Sequence, residues 1–138
     1  MSKLSNDYLT EKFDTLNSKY FENELPSIEL EWGSFAMTST AGYFWWNNVG
    51  SSKIKISPNI IKAEIWGDGF DKSLEETLLH EMVHFKQYLL GHFDNPTYAK
   101  SRTYSTHGLF FQQCVGFINS LSGGFYNIDI FHEIPLRK

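Results

Sequence analysis

Apolar residues recur at helical spacing near the start of the chain. Leu9, Phe13, Leu16 and Tyr20 share one face of a helix expected from Leu4 to about Asn23, with Lys12, Asp14 and Lys19 between them. Asn6 or Asp7 is suited to cap it, and Pro26 closes the segment. The period then falls to two. Ile28, Glu29, Leu30, Glu31 and Trp32 alternate as a half-buried strand does, and Gly33 ends the run. After a less regular stretch, the aromatic block Tyr43, Phe44, Trp45, Trp46 predicts a second strand and Asn47 to Ser52 a hairpin turn. Lys53 to Ser57 alternates again and stops at Pro58, predicting a third strand.

Ile60, Ile61 and Ile65 allow a short helix, and the sequence GDGF that follows reads as a turn. Ser73 followed three residues later by Glu76 has the form of a capping box. The helix it opens runs through LEETLLHEMVHFKQYLL to Gly91, a residue suited to the left-handed stop. A polar connection from His92 to Thr106 is long for an unstructured loop, and such loops commonly line a site. A last helix is expected from about His107 to Leu121, ended by Gly123 and Gly124, with the tail as a closing strand or a packed extension. The sum is an α+β chain: an N-terminal helix, a three-stranded, mainly antiparallel sheet, a strong central helix and a C-terminal helix.

Composition narrows the class. With 138 residues, 41% apolar and 17% aromatic, residues 1–138 fit one compact domain. The formal charge is -4 with the signs interspersed, so net charge gives no support to tight nucleic-acid binding, although a groove rich in Trp and Tyr can still stack single-stranded bases. The one cysteine, Cys114, excludes an intramolecular disulfide and a cysteine-built zinc knuckle, and its apolar neighbours make it a small buried hydrophobe. The N-terminal MSKLSNDYLT lacks the apolar run of a signal peptide and no stretch has the length of a membrane span. A cytoplasmic monomer without membrane contact is the expectation.

The informative pentad is His80, Glu81, Met82, Val83, His84. Residues four apart on a helix stand one above the other, so both imidazoles can reach one ion, while Glu81 leans over the same face as a base for metal-activated water. Histidine pairs on a solvated helix face need no metal. Here Leu74, Leu78, Met82, Phe85 and Leu89 form a broad apolar stripe, which marks a core helix. Two imidazoles on such a helix each need a partner, and a metal partners both. A catalytic site of this kind takes a third protein ligand and keeps a position open for water. His92, Asp94, His107 and His132 are the candidates. His92 follows the helix end, where a cap or a surface position suits it, and His132 lies in the tail. His107 precedes Gly108, which lets the backbone come close to the active helix, so spacing favours His107.

LLHEMVH followed by THGLFF resembles the SprT-like zinc metallopeptidases, which include the Spartan-type proteases. That resemblance maps the third histidine onto His107, in the element His107, Gly108, Phe111. Upstream, LNSKYFENELPSIELEW (Leu16 to Trp32), Gly42 and the strand KIKIS are similar to that family's order of helix, YF pair, LP and strands, so the likeness spans most of residues 8 to 120. It implies a zincin-like fold, a Zn2+ ion on His80, His84 and His107, Glu81 as the catalytic base, and a polypeptide substrate. Many members carry a C-terminal four-cysteine zinc element, which a chain with one cysteine does not contain. Spartan-type members digest proteins crosslinked to DNA, and that substrate class stays open here.

Within the implied mechanism, Tyr104 and Arg102, with Tyr98 comparable, are candidates for assisting the oxyanion. Glu75, Glu76, Asp94, Asp129 and Glu133 are candidates to orient the histidines. Trp45 and Trp46 either line a cleft or divide between core and surface. The alternatives are a catalytically inactive, zinc-containing protein- or DNA-binding module, whose fourth position Asp94 or His92 would close, and a metal-dependent hydrolase of non-peptide substrates.

Overall fold

The computed structural model describes residues 5–33, 41–47, 49–57, 69–93, 102–103 and 105–130. The short helix expected around Ile60, Ile61 and Ile65, and the candidates Asp94, Tyr98, Tyr104, His132 and Glu133, lie outside these residues.

Helix α1 (Asn6–Tyr20) buries Leu9, Phe13, Leu16 and Tyr20, the predicted face. Its cap is Ser5, whose hydroxyl accepts from the Tyr8 amide at 3.1 Å. Asn6 serves elsewhere: its side-chain carbonyl accepts from the Trp32 amide. The helix stops before Asn23 because Asn17, buried, clamps the following turn. Its amide donates to the Leu25 carbonyl at 2.8 Å and its side-chain oxygen accepts from the Leu25 amide at 3.2 Å. Glu22 and Asn23 take left-handed backbone angles in that turn.

Strands β1 (Glu29–Trp32), β2 (Gly42–Trp46) and β3 (Ser52–Ile56) form, among the described residues, one sheet in the order β1-β3-β2. The β2–β3 hairpin is antiparallel, and Asn47 builds its turn by accepting from the Val49 and Ser51 amides. The β1–β3 pair is parallel, so the sheet is mixed. Alternation assigns faces but carries no strand direction, which is why the parallel pair escaped the sequence. One face sets Leu30, Ile54, Ile56 and Phe44 toward the core, while Glu31 on the other pairs with Lys53 at 3.2 Å and Lys55 at 3.6 Å.

Helix α2 (Phe70–Leu89) lies on the core face of this sheet. It starts a turn before Ser73, with Gly69 as the cap residue and no side-chain cap. Ser73 is therefore interior, and Glu76 accepts from the Asn127 amide, so the Ser73–Glu76 pair is not a capping box. Leu74, Leu78, Leu79, Met82 and Val83 are fully buried, but Leu89 is 46% exposed, so the apolar stripe ends a turn early. At about 1.5–3 kcal/mol for each buried side chain of this size, α2 is anchored firmly enough to serve as a ligand platform. Gly42 lets it settle: a Cβ there would come within 3.0 Å of both Ile56 and Thr77. Gly91 stops the helix at φ +81°, as predicted.

Helix α3 (Leu109–Leu121) packs against α2 through Phe111, Val115 and Ile118 and ends at Gly123 and Gly124, both left-handed. The described part of the tail is a packed extension: Tyr126 and Ile128 are buried, and Asn119 pairs with both backbone groups of Ile128. Cys114, on α3, is half-buried, and desolvation pushes its thiol upward. Among the described residues, no helix is long and apolar enough to cross a membrane.

Candidate metal centre

His80 and His84 stand on the same face of α2, one turn apart, and both rings are buried. Their Nε2 atoms face each other at 3.2 Å. The third ring, that of His107, comes from the turn that leads into α3. Its centroid lies 5.5 Å from that of His80 and 4.9 Å from that of His84. One donor nitrogen from each of the three lies within 4.8 Å of the others. An ion in tetrahedral coordination with N donors at about 2.0–2.1 Å needs them about 3.3–3.4 Å apart, close to the His80–His84 separation. Three imidazoles also suit zinc chemically, so the residues fit a zinc ion.

The tautomer of His84 follows from its neighbour. Its Nδ1 lies 2.8 Å from Oε1 of Gln87, an acceptor, so Nδ1 carries the proton and Nε2 presents its lone pair to the cluster. Glu81 is 1% exposed, with a carboxylate oxygen 3.9 Å from His80 Nε2. The Glu81 carboxylate is thus beside the donor cluster, on the same helix.

The turn that delivers His107 is compact. Ser105 accepts from the Gly108 amide, and the carbonyls of Arg102 and Thr103 accept from the amides of Leu109 and Phe110 at 2.8 and 2.7 Å. A Cβ on Gly108 would meet the Arg102 carbonyl at 2.5 Å and the Ser105 hydroxyl at 2.6 Å. Gly108 therefore serves close approach, as the sequence suggested, but to its own turn rather than to α2. Phe111, fully buried, floors the cluster: it stacks on His84 at 4.6 Å and meets the edges of His80 and His107 at 4.9 and 4.8 Å.

Other candidates fall elsewhere. His92 helps close the helix end through its backbone, its amide donating to the Gln87 carbonyl at 3.0 Å, but it is no surface residue: its ring is buried against Phe110, and desolvation lowers its pKa. Glu75 bonds Lys12 and Tyr126, Glu76 bonds the Asn127 amide, and Asp129 is exposed. The side chain oriented toward His84 is Gln87, which sequence reasoning missed; its position one helical turn beyond His84 was the available signal. Trp45 is on the outer face with the Lys53 ammonium 5.6 Å from its ring centroid, while Trp46 stacks on Phe93.

The SprT-like family model matches residues 9–132, a span that contains all three histidines and Glu81. The chain belongs to the SprT-like family. It is 31% identical over 121 residues to the human protein named DNA-dependent metalloprotease SPRTN, covering 87% of this chain and 22% of that protein. The rat and mouse proteins of that name show the same identity over 121 residues, with 21% of each covered. The chain thus spans about a fifth of the length of these SprT-like relatives. No solved structure matches.

Proposed function

We propose that this chain is a zinc-dependent endopeptidase in which His80, His84 and His107 hold the ion and Glu81 is the general base. The observation that carries the proposal is the convergence of the three imidazole donors with a buried carboxylate 3.9 Å from one of them. When bound, zinc supplies Lewis acidity, polarising a peptide carbonyl and lowering the pKa of water toward about 7. The chain's own residues do the rest. The imidazoles bind as neutral donors, and Gln87 fixes the ring of His84. Glu81 accepts the proton of the attacking water and returns it to the leaving amine, so that the peptide bond breaks to an acid and an amine.

A polypeptide substrate suits the sheet. Among the described residues β2 pairs with β3 on one side only, and β2 packs directly on α2, so an extended peptide added along its other side would run beside the centre. The likeness to the human DNA-dependent protease makes proteins bound to DNA the substrates to try first.

The test is proteolysis of an unstructured protein and of a DNA-bound protein, each with and without DNA, by wild type and by Glu81→Gln at equal zinc content. Wild-type cleavage that falls about 10²–10⁴-fold in the variant is the expected outcome, and stimulation by DNA would place the substrate among DNA-associated proteins. A wild type inert in every condition returns the chain to a zinc-containing binding module or a metal-dependent hydrolase of non-peptide substrates, and an equally active E81Q removes Glu81 from the mechanism.

A further inference from the structure

Gln87 touches two things that a metal centre must hold together. Its Oε1 lies 2.8 Å from His84 Nδ1, and its Nε2 donates to the Ser105 carbonyl at 3.1 Å. The side chain is fully buried, three residues beyond His84 on α2. Ser105 belongs to the turn that carries His107, and the same carbonyl accepts the Gly108 amide at 3.0 Å. One primary amide therefore joins the second histidine of the helix to the turn that delivers the third.

The two contacts fix each other. A carbonyl oxygen can only accept, so the NH2 end of the Gln87 amide must face Ser105 and the oxygen end must face His84. That forces the proton of a neutral His84 onto Nδ1 and leaves the lone pair on Nε2, the atom 3.2 Å from His80 Nε2. Were the amide reversed, its oxygen would face the Ser105 carbonyl, acceptor against acceptor. Groups that bond the far nitrogen of a ligating histidine hold its orientation and raise its donor strength, and losing one costs about 10–100-fold in metal affinity.

From this we infer that Gln87 is a positioning residue, a clamp that selects the metal-binding tautomer of His84 and ties it to the turn bearing His107. The inference rests on the zinc reading above. It goes beyond that reading because it makes zinc affinity depend on a neutral side chain that binds no metal itself. It also predicts that the ring of His84 is set before the ion arrives.

The experiment uses the full chain and zinc alone, with three readouts: competition against a chromophoric chelator, far-UV circular dichroism, and nitrogen-15 NMR of the histidine rings in zinc-free protein at a pH where they are neutral. In wild type, His84 is expected to show a protonated Nδ1 and a bare Nε2. Gln87→Met keeps the volume and removes both hydrogen bonds, so zinc affinity should fall about 10–100-fold and the single His84 tautomer should give way to a mixture. Gln87→Glu keeps the acceptor toward His84 but, as a carboxylate, offers the Ser105 carbonyl no donor, so its zinc affinity should lie between the two.

A folded Q87M that binds zinc within about twofold of wild type overturns the clamp. So does a wild-type His84 protonated on Nε2, a result that needs no variant to fold. Failure of the zinc reading looks different: wild type would then bind no more zinc than His84→Ala, and the clamp would fall with it.

Discussion

Two stretches of α2 use their polar side chains in opposite ways. In its first turns, Asp71 accepts from Tyr8, Glu75 holds Lys12 and Tyr126, and Glu76 accepts from the Asn127 amide. These contacts tie α1 and the tail to the helix, and they lie partly in solvent, with Lys12 and Glu75 side chains 24% and 17% exposed. Further along, His80, Glu81 and His84 turn inward and are at most 3% exposed. In the first stretch each carboxylate is matched to a donor from a distant part of the chain, at a gain of about 1 kcal/mol or less for an exposed ion pair. In the second, imidazoles and a carboxylate are buried together, which costs several kcal/mol in desolvation that a bound cation offsets. The fold secures the helix at one end and buries the donor cluster at the other.

The sharpest way to break this contrast is at Phe111. Removing its ring in Phe111→Ala takes away the floor of all three imidazoles as well as core packing, so the protein should lose about 3–5 kcal/mol in denaturant melts and bind zinc at least about tenfold more weakly. Lys12→Met, on α1 against the first stretch, should lose about 1 kcal/mol or less and bind zinc as wild type does. Equal losses of zinc affinity in the two variants would show that the stretches are not separable.

A smaller effect should follow Gly108→Ala. Its methyl collides with the Arg102 carbonyl as well as the Ser105 hydroxyl, so the turn must shift, at about 1–3 kcal/mol. Chelator competition should show weaker zinc binding, while amide resonances of α1 and the first turns of α2 stay in place. Wild-type zinc affinity would mean that the His107 turn tolerates the methyl without moving the ring.

The smallest effect concerns pH and belongs to the first stretch. Burial, then the contact with Glu75, pushes the Tyr126 hydroxyl well above its ordinary range, and burial with Asp71 raises that of Tyr8. For Lys12 burial works downward, but Glu75 and Asp71 together outweigh it and the net shift is upward. A group whose pKa is raised on folding contributes fully below its unfolded pKa and loses that contribution as the pH climbs through its folded pKa. These contributions should therefore hold to about pH 10 and fade above it. In zinc-free protein the melting temperature should fall from that point, and Tyr126→Phe, about 1 kcal/mol less stable at neutral pH, should show a shallower alkaline fall. An unchanged slope would remove Tyr126 from the account.

Much of this was legible in the sequence because periodicity records burial. The face of α1, the hairpin at Asn47, the stops at Gly91 and Gly123, and the inward pair His80 and His84 all follow from local pattern and turn chemistry. What stayed hidden depends on partners far along the chain. Ser73 and Glu76 spell a cap, yet Glu76 is engaged by Asn127, which no local rule can foresee. His92 reads as a surface residue until Phe110 of α3 covers it. Gln87 looked like one more polar residue near a helix end, because the Ser105 carbonyl that gives its buried amide a purpose comes from another segment. Family likeness supplied His107 where spacing gave only a preference.

The strand order has a consequence for synthesis. β3, the central strand, is the last of the three to leave the ribosome, so β1 and β2 are both made before the backbone they share exists. During that interval β1 carries Glu29 and Glu31 on its outer face, charges that discourage pairing with another nascent chain. When Lys53 and Lys55 emerge opposite them, the same two glutamates become guides to register. Five residues, Ser52 to Ile56, then commit two strands at once, one in each direction.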